Sequence, residues 1–358
     1  MRRIIILFCL GFTAFLKAQV VYTEMPFSTS IMFSNAQNQG LEWLTEKGYY
    51  QYNFKMGQVN PMPIEGLETL AVNQLSNQTY LHLNAFGKTF FLLNGGGELY
   101  SLSNGIVVRE DFSFAHQNQF GGHFFSDQEN LFYYGGYGHF RSKDFFIFYN
   151  WPTSDWQIVL NNNVVIPEAR SNANFEATYD QVYIAGGVYA AGKEEPRFLT
   201  DVFSFDLKQK KFKNLGTLNP ILQNVNFQWF TNSDYDFSFF LNTNHELVRS
   251  SISNNKFVVY NNFDSYLKYV SSPLIVQKDS LYYQTFHGTK KFLHRIALKD
   301  LGSYKGEEGL LYVKELQKAP FFNSLLVGFG LLVLLFILYK IFGFVDMVKR
   351  KKQAIKPS

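Results

Sequence analysis

Between residues 20 and 315 the chain never sustains a helical period of apolar positions. It runs instead in short stretches where apolar and polar residues alternate or aromatics crowd together, each stopped by Asn, Gly, Asp or Ser. Alternation at period two marks half-buried strands, and stops this frequent predict an all-β domain of many short strands. Asn161-Asn162-Asn163, Asn254-Asn255 and Asn261-Asn262 supply turns that tolerate positive φ. Two stretches break the pattern. Ile4 to Phe15 and Phe321 to Tyr339 carry no charge, and the second places Leu, Val, Ile and Phe on every face of a helix.

Within the strand-rich region a unit recurs. Leu131-Phe-Tyr-Tyr-Gly135-Gly136 is followed by a loop, Asp144-Phe-Phe-Ile-Phe-Tyr149 and Trp156-Gln-Ile-Val159. Val182-Tyr-Ile-Ala-Gly186-Gly187 is followed by a loop, Asp201-Val-Phe-Ser-Phe-Asp206 and Phe212-Lys-Asn-Leu215. Pro167-Glu-Ala-Arg170 precedes the second copy. This arrangement resembles the kelch motif, in which each unit forms one four-stranded blade of a β-propeller. A blade is sandwiched between neighbours, so both its faces are apolar and its strands want aromatics on alternate sides. In that frame Gly135, Gly136, Gly186 and Gly187 end a strand where a Cβ does not fit. Trp156 and Phe212 fill the gap between blades, and Asp144 and Asp201 are expected to bond loop backbone. All eight read as structural.

Weaker copies lie on either side. Phe90 to Gly97 precedes Glu98-Leu-Tyr-Ser-Leu, an Asn104-Gly105 hairpin turn and Ile106-Val-Val. Phe237 to Asn242 precedes Glu246-Leu-Val-Arg and Phe257-Val-Val-Tyr260, and Leu281-Tyr-Tyr-Gln precedes Phe292 to Leu298. Leu41 to Leu44 and Tyr49 to Phe54 supply a first blade. The landmarks Gly96, Gly136, Gly187 and Thr243 are 40, 51 and 56 residues apart. Six blades fit this spacing best, with five or seven as the alternatives.

The two ends set the expected address. Met1-Arg2-Arg3, the apolar run to Phe15 and the small residue Ala18 make a secretory leader over 1–18, although Lys17 is unusual beside a cut. A retained N-terminal anchor is the other reading. Phe321 to Tyr339 is 19 residues, which at ~1.5 Å each matches a bilayer's hydrocarbon core. Lys349, Arg350, Lys351, Lys352 and Lys356 follow it, and such clusters stay on the cytoplasmic side. The expected division is leader 1–18, ectodomain 19–318, transmembrane helix 319–345 and basic tail 346–358. That is a single-pass protein of the inner membrane, with its N-terminus periplasmic and its C-terminus cytoplasmic.

Composition narrows the chemistry. Cys9, the sole Cys, lies in the leader, so the processed chain has no thiolate, disulfide or Cys-ligated metal. The net charge of +4 comes mostly from leader and tail, leaving no basic stripe for nucleic acid on the ectodomain. The seven histidines (His82, His116, His123, His139, His245, His287 and His294) form no i, i+4 metal pair. His287 and His294 read as satisfied loop histidines. Gly95-Gly96-Gly97 lacks the helix and Lys-Ser/Thr of a phosphate cradle, and no Gly-x-Ser-x-Gly elbow occurs. No catalytic residue, metal site or cofactor is predicted. Asn77-Gln78-Thr79 is a glycosylation sequon.

What remains is the loop surface. The loop after Gly136 carries Tyr137, His139 and Arg141, and the loop after Gly187 carries Tyr189, Lys193 and Arg197. Both follow the same strand of their blades and so emerge on one face, where aromatics mixed with Arg suit a ligand site. The leading expectation is a membrane-anchored recognition or sensor module that binds a protein, peptide or glycan and feeds a signalling or transcription-regulating partner. A leader, propeller and span resemble the sensory part of envelope regulators of Bacteroidetes type, in layout rather than motif. Two alternatives stand beside it: a periplasmic sugar enzyme, since sialate mutarotases resemble kelch propellers, and a structural subunit of a membrane complex.

Overall fold

The computed structural model describes residues 20–314, except 36, 38–39, 71–73, 113–117, 161–165, 226, 228–236 and 262–263, together with 333–334, 336–338 and 340–344. The leader, His116, the Asn161–Asn163 turn, most of 319–345 and the basic tail lie outside the described residues. The chain divides into two units, Met1–Val313 and Lys314–Ser358.

The first unit is all-β, with six antiparallel sheets arranged as propeller blades. Blade 1 comprises Ile31–Ser34, Leu41–Thr45, Gly48–Asn53 and Gln58–Met62. Blade 2 comprises Tyr80–Ala85, Lys88–Leu93, Leu99–Ser103 and Ile106–Arg109. Blade 3 comprises His123–Ser126, Leu131–Tyr134, Phe146–Asn150 and Asp155–Ile158. Blade 4 comprises Asn174–Ala177, Gln181–Ala185, Asp201–Asp206 and Lys211–Leu218.

Blades 5 and 6 borrow their outer strands. Ser238–Leu241, Leu247–Ser251 and Lys256–Tyr260 are completed by Lys305–Gly309, which arrives from beyond blade 6. Ile275–Gln277, Ser280–His287 and Lys290–Ala297 are completed by Val21–Glu24 from the start of the described chain. Tyr312–Val313 then adds a fifth strand to blade 4. The ring is thus closed by both ends of the propeller's own chain.

The aromatic excess of the sequence goes into the seams. Six buried clusters each join two neighbouring blades, from blades 1 and 2 round to blades 6 and 1. Alternation sets which seam a residue fills. Phe90 and Leu92 pack towards blade 3, whereas Phe91 between them packs towards blade 1. Tyr282 faces blade 1 and its neighbour Tyr283 faces blade 5. Trp156 is buried between blades 2 and 3, and its Nε1 donates to the Gly97 carbonyl at 2.9 Å. Phe212, half-buried, lies 4.6 Å from the Phe205 ring and 5.9 Å from Phe146.

In the second unit residues 336–338 and 340–344 are helical, and Phe336, Ile337, Leu338, Ile341, Phe342 and Phe344 are all exposed. Among the described residues no helix is long and apolar enough to cross a membrane.

Candidate functional site

The site grows from the paired glycines of blades 3 and 4. Gly135, Gly136, Gly186 and Gly187 have φ of 69°, 92°, 63° and 102°, a region that side chains resist. Space is also short there. A Cβ on Gly135 would sit 2.7 Å from the Arg170 carbonyl oxygen, and one on Gly187 would sit 2.9 Å from that of Ser171.

Arg170, buried at 1 % exposure, holds this corner. Its guanidinium bonds Asp201 twice, at 2.8 and 2.9 Å, and donates to the Gly186 carbonyl at 2.9 Å. Bidentate geometry of this kind gives both strength and a fixed orientation. Gln119 stands at the matching position of blade 3, donating to the Gly135 carbonyl at 2.5 Å. Asp201 therefore serves an arginine side chain rather than the loop backbone, and Asp144, its counterpart in blade 3, is exposed.

Beyond each glycine pair the chain forms a small hairpin: Tyr137–Gly138 with Arg141–Ser142, and Val188–Tyr189 with Arg197–Phe198. The hairpins are joined to each other and to their surroundings. The Ser142 N–H donates to Ala190 at 2.8 Å and the Gly192 N–H to Phe140 at 2.5 Å. Phe120 and Tyr137 exchange two backbone bonds of 2.7 Å, and Ser171 and Val188 exchange bonds of 2.9 and 2.8 Å. The two loops singled out in the sequence thus lie together in one ribbon. At its first turn His139 and Phe140 adopt φ of 50° and 63°, positions normally given to Asn-Gly. Strain held on an aromatic at a loop tip points to function, and Phe140 is 79 % exposed.

The ribbon borders a cavity of about 660 Å³, where the segments leading into the first strands of several blades converge. Its wall includes Tyr80 and His82 of blade 2, Gly122 to Phe124 of blade 3, and Asn94, Phe120, Asn172 and Phe227. Burial pushes His82 down to about 4 and His123 down to about 3, so both imidazoles are neutral at physiological pH.

Of the six predicted ligand residues, Tyr137 lines the cavity. In the second hairpin Val188, Ala190, Gly192, Glu194 and Pro196 line it, whereas Tyr189, Lys193 and Arg197 belong to the intervening positions. Arg197 stacks 4.7 Å above the Tyr189 ring and pairs with Glu168. His139 contacts Asn118 at 3.3 Å, and Arg141 is exposed. The residues that sequence reading passed over, Phe120, Asn172 and His123, sit just before or at the start of a blade. The Gln119-Phe-Gly-Gly122 stretch was the available signal, since Gly121 has φ of 68°. The Asn77 sequon is engaged: Asn77 is 7 % exposed and its carboxamide bonds both backbone groups of Met32.

A second polar cluster lies in blade 6. His294 Nδ1 is 3.0 Å from the Asp264 carboxylate, and its Nε2 is 2.8 Å from Thr285 Oγ1. An acid–imidazole–hydroxyl chain suggests nucleophilic catalysis. Thr285 is 0 % exposed and His294 2 %, so no substrate reaches the hydroxyl and the chain acts as a clasp. Burial alone would raise the Asp264 carboxyl, but donors from His294, Tyr283 and the Tyr266 backbone outweigh it and hold the group below its usual range. Among the described residues no group of three or more His, Cys, Asp or Glu could hold a metal.

No known family's sequence profile matches the chain, and no curated protein matches it.

Proposed function

We propose that this chain is a membrane-tethered recognition module whose loop face, around the central cavity, takes a glycan or peptide outside the cytoplasm. The observation that carries the reading is the joined pair of hairpins at the rim of the 660 Å³ cavity, a volume within the roughly 300–1,000 Å³ of small-molecule sites. Ligand sites favour such concave mouths, with a few oriented polar groups among aromatics. The tether rests on the leader, the apolar run 321–339 and the basic tail, and is supported by the exposed apolar side chains of the helical residues 336–338 and 341–344. The kelch-like spacing of the Gly-Gly units supports the repeat assignment.

A photo-reactive residue placed at Ala190 of the full chain tests both halves. In spheroplasts, irradiation should yield an adduct that external protease removes together with the ectodomain. The same residue at Gln209, in an exposed turn at the opposite end of blade 4, should yield none. Equal adduct at the two positions removes the recognition reading, and an ectodomain that protease cannot reach removes the localisation.

A further inference from the structure

If the loop face is the binding face, the wall of its cavity sets the kind of ligand. Glu194 is the sole Asp, Glu, Lys or Arg among the described residues lining the cavity. The two imidazoles in the wall are neutral because burial disfavours their charged form. A charged ligand would leave water for a wall that offers no compensating cation and one carboxylate, which costs free energy without return. An anion is repelled by Glu194 as well.

Carboxamides and rings are what the wall offers. Asn77 is committed to Met32, and Asn94 accepts from the Gly121 N–H at 3.1 Å while donating to the Gln78 carbonyl at 2.9 Å. That leaves the exposed Gln78 and the half-buried Asn172 to meet a ligand. A carboxamide both donates and accepts, as a sugar hydroxyl does. Beside them the Phe120 ring is 51 % exposed, although its backbone is fixed on both sides by Tyr137.

Two glycines seat these groups. A Cβ on Gly95 would come within 2.3 Å of the Phe120 ring, and one on Gly121 within 2.3 Å of Asn172 Oδ1. An aromatic ring half open to solvent and flanked by amides suits the apolar C–H face of a pyranose. One common mode of peptide recognition adds the peptide as a strand to an open sheet edge. Here three of the hairpin edges are already occupied, by the bridges between Phe120 and Tyr137, Arg141 and Ala191, and Ser171 and Val188, which disfavours that mode.

We infer that the central cavity binds an uncharged oligosaccharide, with one pyranose ring stacked on Phe120 and its hydroxyls bonded to Gln78 and Asn172.

The purified full chain is probed with immobilised oligosaccharides of glucose, galactose, mannose, xylose or N-acetylglucosamine, beside sialylated and uronate-containing ones and a random peptide library. At least one uncharged glycan should be retained, with affinity changing less than twofold between low and high salt. Phe120→Ala removes an exposed ring and keeps the backbone bonds, and should weaken retention tenfold or more. Gln78→Ala should weaken it three- to tenfold, with both melting temperatures unchanged. Retention of anionic glycans or peptides alone, still lost in Phe120→Ala, overturns the ligand class and leaves the loop-face reading standing. Retention of none of these probes also overturns the ligand class. Uncharged-glycan binding indifferent to both substitutions overturns the site, and the loop-face reading with it.

Discussion

The first four strands of blades 3 and 4 each come from one unbroken stretch of chain, with Tyr312–Val313 only added at the edge of blade 4, whereas blades 5 and 6 lack a fourth strand until distant segments reach them. The borrowed strands bury little. Val21 and Tyr22 are each 59 % exposed, and all five residues of Lys305–Gly309 are exposed. These two strands therefore act mainly by backbone pairing that removes a free edge, and apolar burial enters only beyond them, where Leu311 and Tyr312 are buried in the seam of blades 4 and 5. The connections differ too. Blades 3 and 4 place extra hairpins between their second and third strands, while blade 6 turns tightly through Gly288 and Thr289. Local blades carry the loops of the candidate site, and non-local blades tie the ends of the ring. A loop between the second and third strands of blade 4 lies apart from Tyr312–Val313, which pairs only with the blade's fourth strand, Lys211–Leu218.

The corner of blade 4 offers the largest effect. Arg170 is buried and depends on Asp201 for its counter-charge. Asp201→Ala leaves an uncompensated buried cation and should cost about 3–5 kcal/mol in urea unfolding. Replacing both residues with apolar ones of similar volume should recover most of that loss. A single variant within about 1 kcal/mol of wild type would remove the pair from the account of why this corner is rigid.

Glycine turns separate the two regions by a smaller margin. Gly187 in blade 4 combines φ of 102° with a carbonyl oxygen 2.9 Å from its virtual Cβ. Gly288 in blade 6 has φ of 60° and nothing within 4 Å. Gly187→Ala should therefore cost about 2–3 kcal/mol, from strain plus collision. Gly288→Ala should cost about 1 kcal/mol, from strain alone. Equal costs would mean that crowding at the blade 4 corner relaxes freely.

The same contrast explains which parts of the fold are legible in the sequence. The Gly-Gly units of blades 3 and 4 and the count of six were legible because each unit is local and its turns need a particular residue. Lys305-Gly-Glu-Glu-Gly309 was not, since Gly, Glu and Lys have low strand propensity and nothing alternates. It becomes a strand because blade 5 presents an unpaired edge, a fact about the fold and not about those residues. Val21–Glu24 has strand-forming residues, but nothing in so short a run shows that it completes blade 6, about 270 residues away along the chain. In the site, the hairpin loops were found but not their phase. Tyr189 and Arg197 drew notice by chemistry, yet register gave the cavity to Val188 and Ala190, and a two-residue strand carries too little alternation to fix its own face.

Acid sharpens the comparison without any substitution. His123 opens blade 3, stacked 4.5 Å from the Phe175 ring, and burial carries it from its ordinary 6.5 down to about 3. The unfolded chain binds this proton more readily than the folded one. Stability from His123 is therefore full above pH 6.5 and is lost as pH falls towards 3. Between pH 7 and pH 5 the loss is about 2 kcal/mol by linkage. Asp264 in blade 6 is held below its usual carboxylate value, so its stabilisation is present above about pH 3.8 and fades only below it. Mild acid should accordingly loosen blade 3 before blade 6. Hydrogen exchange at pH 5 should show the strand His123–Ser126 opening ahead of Lys290–Ala297. His123→Gln should flatten the pH 7-to-5 stability slope by about 2 kcal/mol, leaving a residual slope of similar size from His82 in blade 2. A variant with the wild-type slope would show that His123 accepts its proton as easily folded as unfolded, and that acid does not distinguish the two regions.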